Sequence, residues 1–281
     1  MNNNPHTYLG VELDQVGTRY GRFLVPRRDA VIGRSLREYG EWAEKEIALL
    51  CSLANDGGTI LDVGANVGTH ALGFASRFPN SAVFAFEPQP VLHALLTANV
   101  LAAGCPNVTP FAVACGDRAG VIDVSSDYAS VGWNFGAVNL DRVEEFARPL
   151  VQPAMRLPLD SILYPSRIQL LKIDVEGMEP LVLAGAVNLL RSDRPIVYFE
   201  VLEIETLIRC RDILTKLGYE MYWVESSAYN ERNFVGNSNN IWGEGETAVL
   251  AVPTEAAEVI SGFTKVTGSE TAVPKSAYRR Y

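Results

Sequence analysis

The sequence predicts an α/β protein in which helices cover both faces of one open, mostly parallel sheet. From residue 56 onward, short apolar runs alternate with segments of helical periodicity, which is typical of repeated βα units. The 281 residues are 48% hydrophobic and 20% charged, as in ordinary soluble globular proteins. No linker-like or repetitive segment divides the chain, so we expect one principal domain at residues 56–253, a lead-in at 1–55 and a tail at 254–281.

Seven strands are predicted from the apolar runs: residues 59–63, 82–87, 108–114, 168–174, 196–201, 220–224 and 247–252. Between most of them, apolar residues recur at helical spacing, as at Val67, Ala71 and Phe74. No helical segment separates the last two strands, so they should pair as an antiparallel hairpin. In the lead-in, the spacing of Ala43 and Ile47 with later apolar residues predicts an amphipathic helix.

Composition also narrows the partners and the compartment. The net charge of -9 disfavours nucleic acid as a partner, because a phosphate backbone attracts basic surfaces. The four cysteines show no metal-site spacing, and no signal peptide or membrane span is evident. We therefore expect a soluble cytoplasmic protein, and the sequence leaves open whether it forms a homo-oligomer.

A glycine-containing turn follows the first predicted parallel strand. Asp62 ends that strand, and Gly64, Asn66 and Gly68 lead into a helix, which places backbone N–H groups at the carboxyl edge of the sheet. The glycine spacing differs from the G-x-G-x-x-G pattern of dinucleotide sites, which disfavours NAD and FAD. Asp62 and Asn66 can offer hydrogen bonds to an amino-acid moiety.

Two further acidic residues follow the next strands. Glu87 ends the second strand of the series, where a carboxylate can accept hydrogen bonds from both ribose hydroxyls. Asp117 follows the third and could accept a hydrogen bond from the amine of an adenine ring. These residues predict a nucleoside-type ligand.

The chain resembles the FkbM family of S-adenosylmethionine-dependent methyltransferases. Its blocks occur in the family's order as LDVGANVG, FAFEP, LKIDVEGME and RPIVYFE, which begin at Leu61, Phe84, Leu171 and Arg194. The resemblance extends from about residue 10 to about residue 253, and the KIDVEG block is its most specific part. It implies a seven-stranded, Rossmann-like class I methyltransferase sheet that uses S-adenosyl-L-methionine.

The resemblance implies methyl transfer, commonly to a hydroxyl on a sugar, glycolipid or natural product. It also implies that Asp62 and Gly64 lie near the methionine part of the cofactor, Glu87 near the ribose and Asp117 near the adenine. The alternatives left open are an N-methyltransferase, a nucleotide-binding α/β oxidoreductase and a non-catalytic module that binds the cofactor. The small-molecule or glycan acceptor itself is not identified.

Candidate catalytic residues follow the fourth and fifth strands of the series. Asp174, Glu176 and Glu200 should meet at one sheet edge, where mutual repulsion and burial can raise the pKa of one carboxyl and make it a usable base. Lys172 should face the same side as Asp174 and oppose that shift. Although carboxylates suit Mg²⁺, we expect no metal, because the family has no defining metal motif. His70 is a weaker candidate, since a histidine in a first helical turn commonly packs locally.

The acceptor should be bound by long loops that can fold over the sheet edge. Aromatic and amide side chains in these loops are the predicted substrate contacts, namely Trp133, Asn134, Phe135, Asn139, Asn237 and Asn240. Tyr39 of the lead-in is predicted to close over the cofactor.

Overall fold

A computed structural model describes residues 6–8, 10–125, 151–243, 245–259 and 262–274. In chain order its strands are β1 (His6–Tyr8), β2 (Val11–Thr18), β3 (Gly21–Pro26), β4 (Thr59–Val63), β5 (Ala82–Phe86), β6 (Val108–Phe111), β7 (Val113–Cys115), β8 (Gly120–Ser125), β9 (Val151–Leu157), β10 (Ile168–Ile173), β11 (Ile196–Glu200), β12 (Tyr219–Ser226), β13 (Glu246–Pro253) and β14 (Thr264–Lys265). The α-helices are α1 (Ile32–Tyr39), α2 (Glu44–Leu53), α3 (Thr69–Arg77), α4 (Pro90–Ala103), α5 (Glu179–Ala184), α6 (Val187–Ser192) and α7 (Ile204–Lys216).

The main sheet has eight strands in the order β6-β5-β4-β10-β11-β13-β12-β14. The first five of these run parallel, while β13, β12 and β14 each pair antiparallel with the preceding strand. The predicted α/β class and the antiparallel hairpin are therefore confirmed. The predicted number of seven strands was wrong, because β14 adds an eighth; its two polar residues carry no apolar alternation that a sequence pattern could reveal.

Helices cover both faces of this sheet, as predicted. Neighbouring residues of each central strand enter different apolar clusters: Ile60 and Leu170 pack on the face of α3 and α4, whereas Leu61 and Leu171 pack on the face of α5, α6 and α7. Local signals set the helix limits, since α4 begins at Pro90 and ends at Ala103, where Gly104 caps it with a φ of 65°.

The lead-in is part of the same core. Its strands β1, β2 and β3 form an antiparallel sheet, and α2 buries Ile47 in the cluster beside α3. Asn99 of α4 fixes β3 in place, because its side chain accepts a hydrogen bond from the Leu24 N–H and donates one to the Leu24 carbonyl. The predicted amphipathic helix corresponds to α2.

A second small sheet, in the order β7-β9-β8, lies beside the main one. Residues 126–150, between β8 and β9, are outside the described part of the chain, and so are four of the predicted substrate contacts: Trp133, Asn134, Phe135 and Asn139. Across the described residues, no helix combines the length and the apolar character needed to cross a bilayer.

Candidate active site

Three polar side chains form a row across the sheet near its carboxyl edge. The strand register places Lys172 of β10 between Asp62 of β4 and Tyr198 of β11. All three face the side of α2 and α3, because Ile60 and Leu170, two positions earlier, pack there. A buried cation therefore lies between a carboxylate and a phenol.

The Lys172 ammonium group contacts acceptors from three segments. Its Nζ lies 3.3 Å from Asp62 Oδ1, 3.3 Å from Asp174 Oδ2 and 3.5 Å from the Gly64 carbonyl oxygen. Burial alone would lower the pKa of Lys172, but the carboxylates of Asp62, Asp174 and Glu46 outweigh it and raise the pKa above its ordinary value. Lys172 is thus a charged side chain at neutral pH.

Asp62 lies beneath the cleft rather than in its wall. Its side chain is 0% exposed, and its ion-pair partner among the described residues is Lys172. The Lys172 Nζ lies 3.3 Å from Asp62 Oδ1, which is an ion-pair distance. A charge buried this deeply is costly unless it is paired, so Asp62 depends on Lys172.

The turn after β4 comes very close to the turn after β10. Gly64 has a φ of 82°, and a Cβ built on it would lie 1.8 Å from the Asp174 carbonyl oxygen. The Gly64 and Ala65 N–H groups both donate to the Phe86 carbonyl oxygen, while the Asp174 N–H donates to Val63. Only glycine fits at residue 64, and the reason is this backbone contact. Gly68 similarly adopts a φ of 96° where α3 begins.

Glu87 and Asn66 lie side by side in the wall of the cleft. Glu87 Oε2 accepts a hydrogen bond from the Asn66 N–H at 3.0 Å, and Oε1 accepts one from the Gln89 N–H at 2.9 Å. Burial raises the pKa of Glu87 to about 7, against the lowering effect of these two N–H groups. Each oxygen keeps a second lone pair with which it can accept a hydrogen bond from a ligand.

The predicted catalytic carboxylates do come together. One oxygen from each of Asp174, Glu176 and Glu200 lies within 4.8 Å of the others. Burial raises the pKa of Glu200 well above its ordinary value, and the charges of Asp174, Glu246 and Glu176 add to the shift. Oxygen ligands at this spacing could also hold a divalent cation, so the absence of a metal stays a prediction.

The turn that carries two of these carboxylates is held from below by Glu179. Its Oε1 accepts hydrogen bonds from the N–H groups of Val175 and Gly177, each at 3.2 Å. Glu176 has a φ of 55° and Gly177 a φ of 100°, so the chain reverses sharply there. This turn presents Asp174 and Glu176 at the edge of the sheet.

Glu46 of α2 joins the polar row from the side. It accepts a hydrogen bond from the Tyr198 hydroxyl at 2.7 Å, and its Oε1 lies 2.8 Å from His70 Nε2. Burial would raise the pKa of Glu46, but His70, Lys172 and Tyr198 outweigh it and lower the pKa. One nitrogen of His70 is therefore engaged by a structural carboxylate.

These groups surround one cleft that opens to solvent. Its lining combines the glycine turn, the acidic cluster and part of the lead-in: Val31, Ile32, Trp42, Gly64, Ala65, Asn66, Thr69, His70, Glu87, Lys172, Asp174, Glu176, Glu200 and Glu246. The predicted cofactor residues Gly64, Asn66 and Glu87 thus face the same space as the three predicted catalytic residues. The predicted cofactor residues Asp62 and Gly68 are not among the lining residues.

Other predicted site residues have partners elsewhere. The Tyr39 hydroxyl donates to the Asn239 carbonyl and accepts from the Ile241 N–H, each at 2.8 Å. Asp117 forms ion pairs with Arg118 and Arg156.

Asn237 and Asn240 also bind chain segments outside the cleft lining. Asn237 donates to Glu38, and Asn240 donates to the Gly243 carbonyl within its own loop. Neither amide is among the cleft-lining residues of the described chain.

The cleft also contains an apolar wall and one carboxylate that were not predicted from the sequence. Val31, Ile32 and Trp42 come from the lead-in, where no local pattern indicates a ligand. Glu246 could have been found, because β13 runs antiparallel to β11 and therefore starts at the edge where Glu200 ends.

A family model described as the methyltransferase FkbM domain matches residues 62–221, which is more than half of the 281-residue chain. Among curated proteins, the chain is similar to the AMB antimetabolite synthetase AmbE of Pseudomonas aeruginosa, with 30% identity over 200 residues. The match covers 57% of this chain and only 9% of that much longer protein.

Two solved structures are similar at low identity. A methyltransferase FkbM from Methylobacillus flagellatus KT has 14% identity and a TM-score of 0.45, covering 71% of this chain and 45% of that one. The O-methyltransferase TomG from Streptomyces achromogenes, which is involved in tomaymycin synthesis and was solved with SAM, has 13% identity and a TM-score of 0.44, covering 75% and 79%.

Proposed function

Because this chain belongs to the FkbM methyltransferase family, we propose that it transfers the methyl group of S-adenosylmethionine to a hydroxyl of a sugar, glycolipid or natural product. One observation carries the proposal: a single cleft contains a nucleoside-type wall, built by Glu87 and the Gly64 turn, and a cluster of carboxylates. This combination suits methyl transfer, since donor and acceptor must meet in line within one space and a carboxylate can take the proton of the acceptor hydroxyl.

The residues of the turn suit the cofactor. When bound, S-adenosylmethionine supplies a methyl group on a positively charged sulfur. Glu87 accepts the two ribose hydroxyls on the lone pairs that its backbone partners leave available, and Asn66 beside it offers its side-chain amide. Such a wall favours an intact ribose over a 2′-phosphorylated one, because a phosphate would be repelled by the carboxylate.

The carboxylate cluster takes the proton of the acceptor hydroxyl. Glu200 is the best candidate for this step, because its raised pKa makes its ionised form a stronger base than an ordinary carboxylate. Asp174, held by Lys172, accepts a hydrogen bond from the acceptor and orients it. Trp42 and Ile32 form an apolar wall that limits the access of water to the reacting groups.

The test is a screen of sugars, glycolipids and polyketide alcohols with labelled cofactor, followed by comparison of variants. Glu200→Gln should lower the transfer rate by about 10²-fold or more while the affinity for S-adenosylhomocysteine is unchanged. Glu225→Gln, an exposed carboxylate on β12, is the matched control and should behave as wild type. An unchanged rate in Glu200→Gln would remove the proposed base.

Adding EDTA to the same assay separates a proton acceptor from a cation site. If the carboxylates act as bases, the rate stays constant. Loss of activity that Mg²⁺ restores would show that Asp174, Glu176 and Glu200 hold a cation.

N-methylation is the second candidate. The same carboxylates would attract a protonated amine, so the acceptor panel should include amino sugars and amino-acid amides.

Calorimetry with NAD addresses the oxidoreductase alternative, since saturable binding of NAD without binding of S-adenosylmethionine would exclude a methyltransferase. Binding of the cofactor without transfer to any acceptor would support a non-catalytic module.

A further inference from the structure

Asp62 has the sequence position of a cofactor ligand but not the exposure of one. Both of its oxygens are shielded from solvent, and they lie behind Lys172, which does line the cleft. A ligand in the cleft would therefore meet Lys172 and the Gly64 turn before it could reach Asp62. The carboxylate can affect the cofactor only through a neighbour.

Lys172 is the neighbour that can transmit this effect. Its ammonium group has three N–H donors, and three protein acceptors surround it: Asp62, the Gly64 carbonyl and Asp174. The Gly64 carbonyl belongs to the turn proposed to bind the cofactor. The Asp174 carboxylate belongs to the cluster proposed to bind the acceptor, so Lys172 joins the two halves of the cleft.

Among the described residues, Lys172 is the one positively charged group that forms an ion pair with Asp62. Glu87, whose pKa is raised by the charge of Asp62, is also a carboxyl and repels it. Lys172 in turn is attracted by Glu46, which His70 and Tyr198 hold from the far side. Removal of Lys172 would leave several carboxylates close together in a buried region.

We propose that Asp62 and Lys172 act as one positioning unit, in which buried Asp62 holds the Lys172 ammonium group and Lys172 ties the cofactor turn to Asp174. This inference rests on the proposed function, because it assumes that the turn binds S-adenosylmethionine. It differs from the expectation that Asp62 itself touches the methionine part of the cofactor.

A double-mutant cycle on the affinity for S-adenosylhomocysteine tests the unit. Asp62→Asn and Lys172→Met should each weaken binding by about tenfold, and the double variant should also lose about tenfold, because the second change removes an interaction already lost. If Asp62 touched the cofactor directly, the losses would multiply to about a hundredfold. Multiplied losses, or full affinity in either single variant, would overturn the proposal.

The surface pair Lys265 and Glu220 provides the matched control. These residues also form an ion pair between adjacent strands, at 2.9 Å, but both are accessible to solvent and lie away from the cleft. Lys265→Met, Glu220→Gln and their combination should leave the affinity unchanged. A merely structural effect of losing a strand-to-strand ion pair would appear in this set as well.

NMR of lysine labelled with ¹⁵N tests the same unit without a substitution, should a variant fail to fold. Lys172 is buried whereas Lys45 and Lys265 are exposed, so its ammonium signal should be identified by slow exchange with water. The signal should shift when S-adenosylhomocysteine is added. A signal that does not move would contradict the proposal, and a wild-type protein that does not bind the ligand at all would overturn the proposed function with it.

Discussion

At the scale of single residues, burial determines the pH at which Glu87 is ionised and can bind a ribose. Its pKa is raised to about 7 by burial and by the charge of Asp62, against the N–H groups of Gln89 and Asn66. Only the ionised carboxylate can accept hydrogen bonds on both oxygens from a ribose. Protonation of Glu87 should therefore compete with cofactor binding.

We predict that the affinity for S-adenosylhomocysteine rises between pH 6 and pH 8 and then levels off. The affinity rises with pH because the complex holds fewer protons on Glu87 than the free protein does. Glu87→Gln should weaken binding at pH 8 by about ten- to a hundredfold and remove this pH dependence, since a hydrogen bond to a charged group is lost. Calorimetry at several pH values measures both effects, and a Glu87→Gln variant that retains the wild-type pH profile would contradict them.

At the scale of elements, the two turns that carry the site support each other. Gly64 lies against the Asp174 carbonyl, so a methyl group there both adopts an unfavourable φ and forces the turns apart. Gly57 also has a positive φ, of 106°, but an added Cβ would meet no atom within 4 Å. Alanine at Gly57 would therefore introduce backbone strain alone, whereas alanine at Gly64 would introduce both backbone strain and a steric clash.

We predict that Gly57→Ala lowers the free energy of unfolding by about 1 kcal/mol, the cost of a left-handed φ for alanine. Gly64→Ala should cost about 3 kcal/mol or more, because overpacking against backbone adds to the same strain. Urea denaturation of the two variants provides the measurement. Equal losses would show that the contact with Asp174 is easily relaxed.

The lead-in is attached to the rest of the molecule by the loop of residues 227–243. Tyr39 bonds to the backbone at residues 239 and 241, and buried Glu41 accepts hydrogen bonds from Arg19, Asn230 and the Phe234 N–H. The loop and the segment from α1 to Trp42 therefore form one connected unit.

We predict that Tyr39→Phe loosens this loop without unfolding the protein. The variant loses one hydrogen-bond donor and one acceptor, for a total of about 1–2 kcal/mol. The Ile241 amide should then exchange with solvent faster, while amides in β4 and β10 keep their rates. Unchanged protection at Ile241 would show that Tyr39 does not hold the loop.

The limits of helices and strands were easier to predict than the contacts between distant parts of the chain. The strand limits at 59–63 and 168–174 were close to those observed, because continuous apolar runs indicate strands that are buried on both faces. Tyr39 was predicted to close over the cofactor, yet its partners lie 200 residues further along the chain, and no local pattern encodes such a pairing. The single run at 108–114 is divided between β6 and β7, which belong to different sheets.

At the scale of the whole molecule, several buried carboxyl groups make stability depend on pH. Burial raises the pKa of Glu87 and of Glu179 to about 7, and that of Glu200 well above its ordinary value. A carboxyl whose pKa is higher in the folded protein stabilises the fold at low pH and loses that contribution as the pH rises through the folded value. His93, whose pKa is lowered by burial, opposes this trend.

We predict that the Tm of the ligand-free protein falls by several degrees between pH 6 and pH 8.5, since the three carboxyl groups outweigh His93. The same high concentration of S-adenosylhomocysteine should raise the Tm more at pH 8 than at pH 6, because ionised Glu87 binds the ligand more tightly. Thermal unfolding followed by circular dichroism tests both statements. A Tm that rises over this pH range would contradict the assigned shifts.

The site could be predicted from sequence to the extent that it depends on strand ends. Asp174 and Glu200 end neighbouring parallel strands, so their proximity follows from the topology. The burial of Asp62 could not be predicted in this way, because it depends on the side chain that Lys172 places over it. The apolar wall depends on how the lead-in packs, which is a property of the whole fold.

The wall of the cleft has a consequence for how new specificities can arise. Val31, Ile32, Trp42 and Glu246 lie outside residues 62–221, the segment that the family shares, whereas the turn and the carboxylates that we propose for the cofactor and for catalysis lie inside it. Relatives can therefore exchange the outer segments and keep the chemistry. Tyr39 and Glu41 bind the loop at 227–243. A chimera must therefore inherit this loop and the segment from α1 to Trp42 from the same parent for the apolar wall of the cleft to assemble.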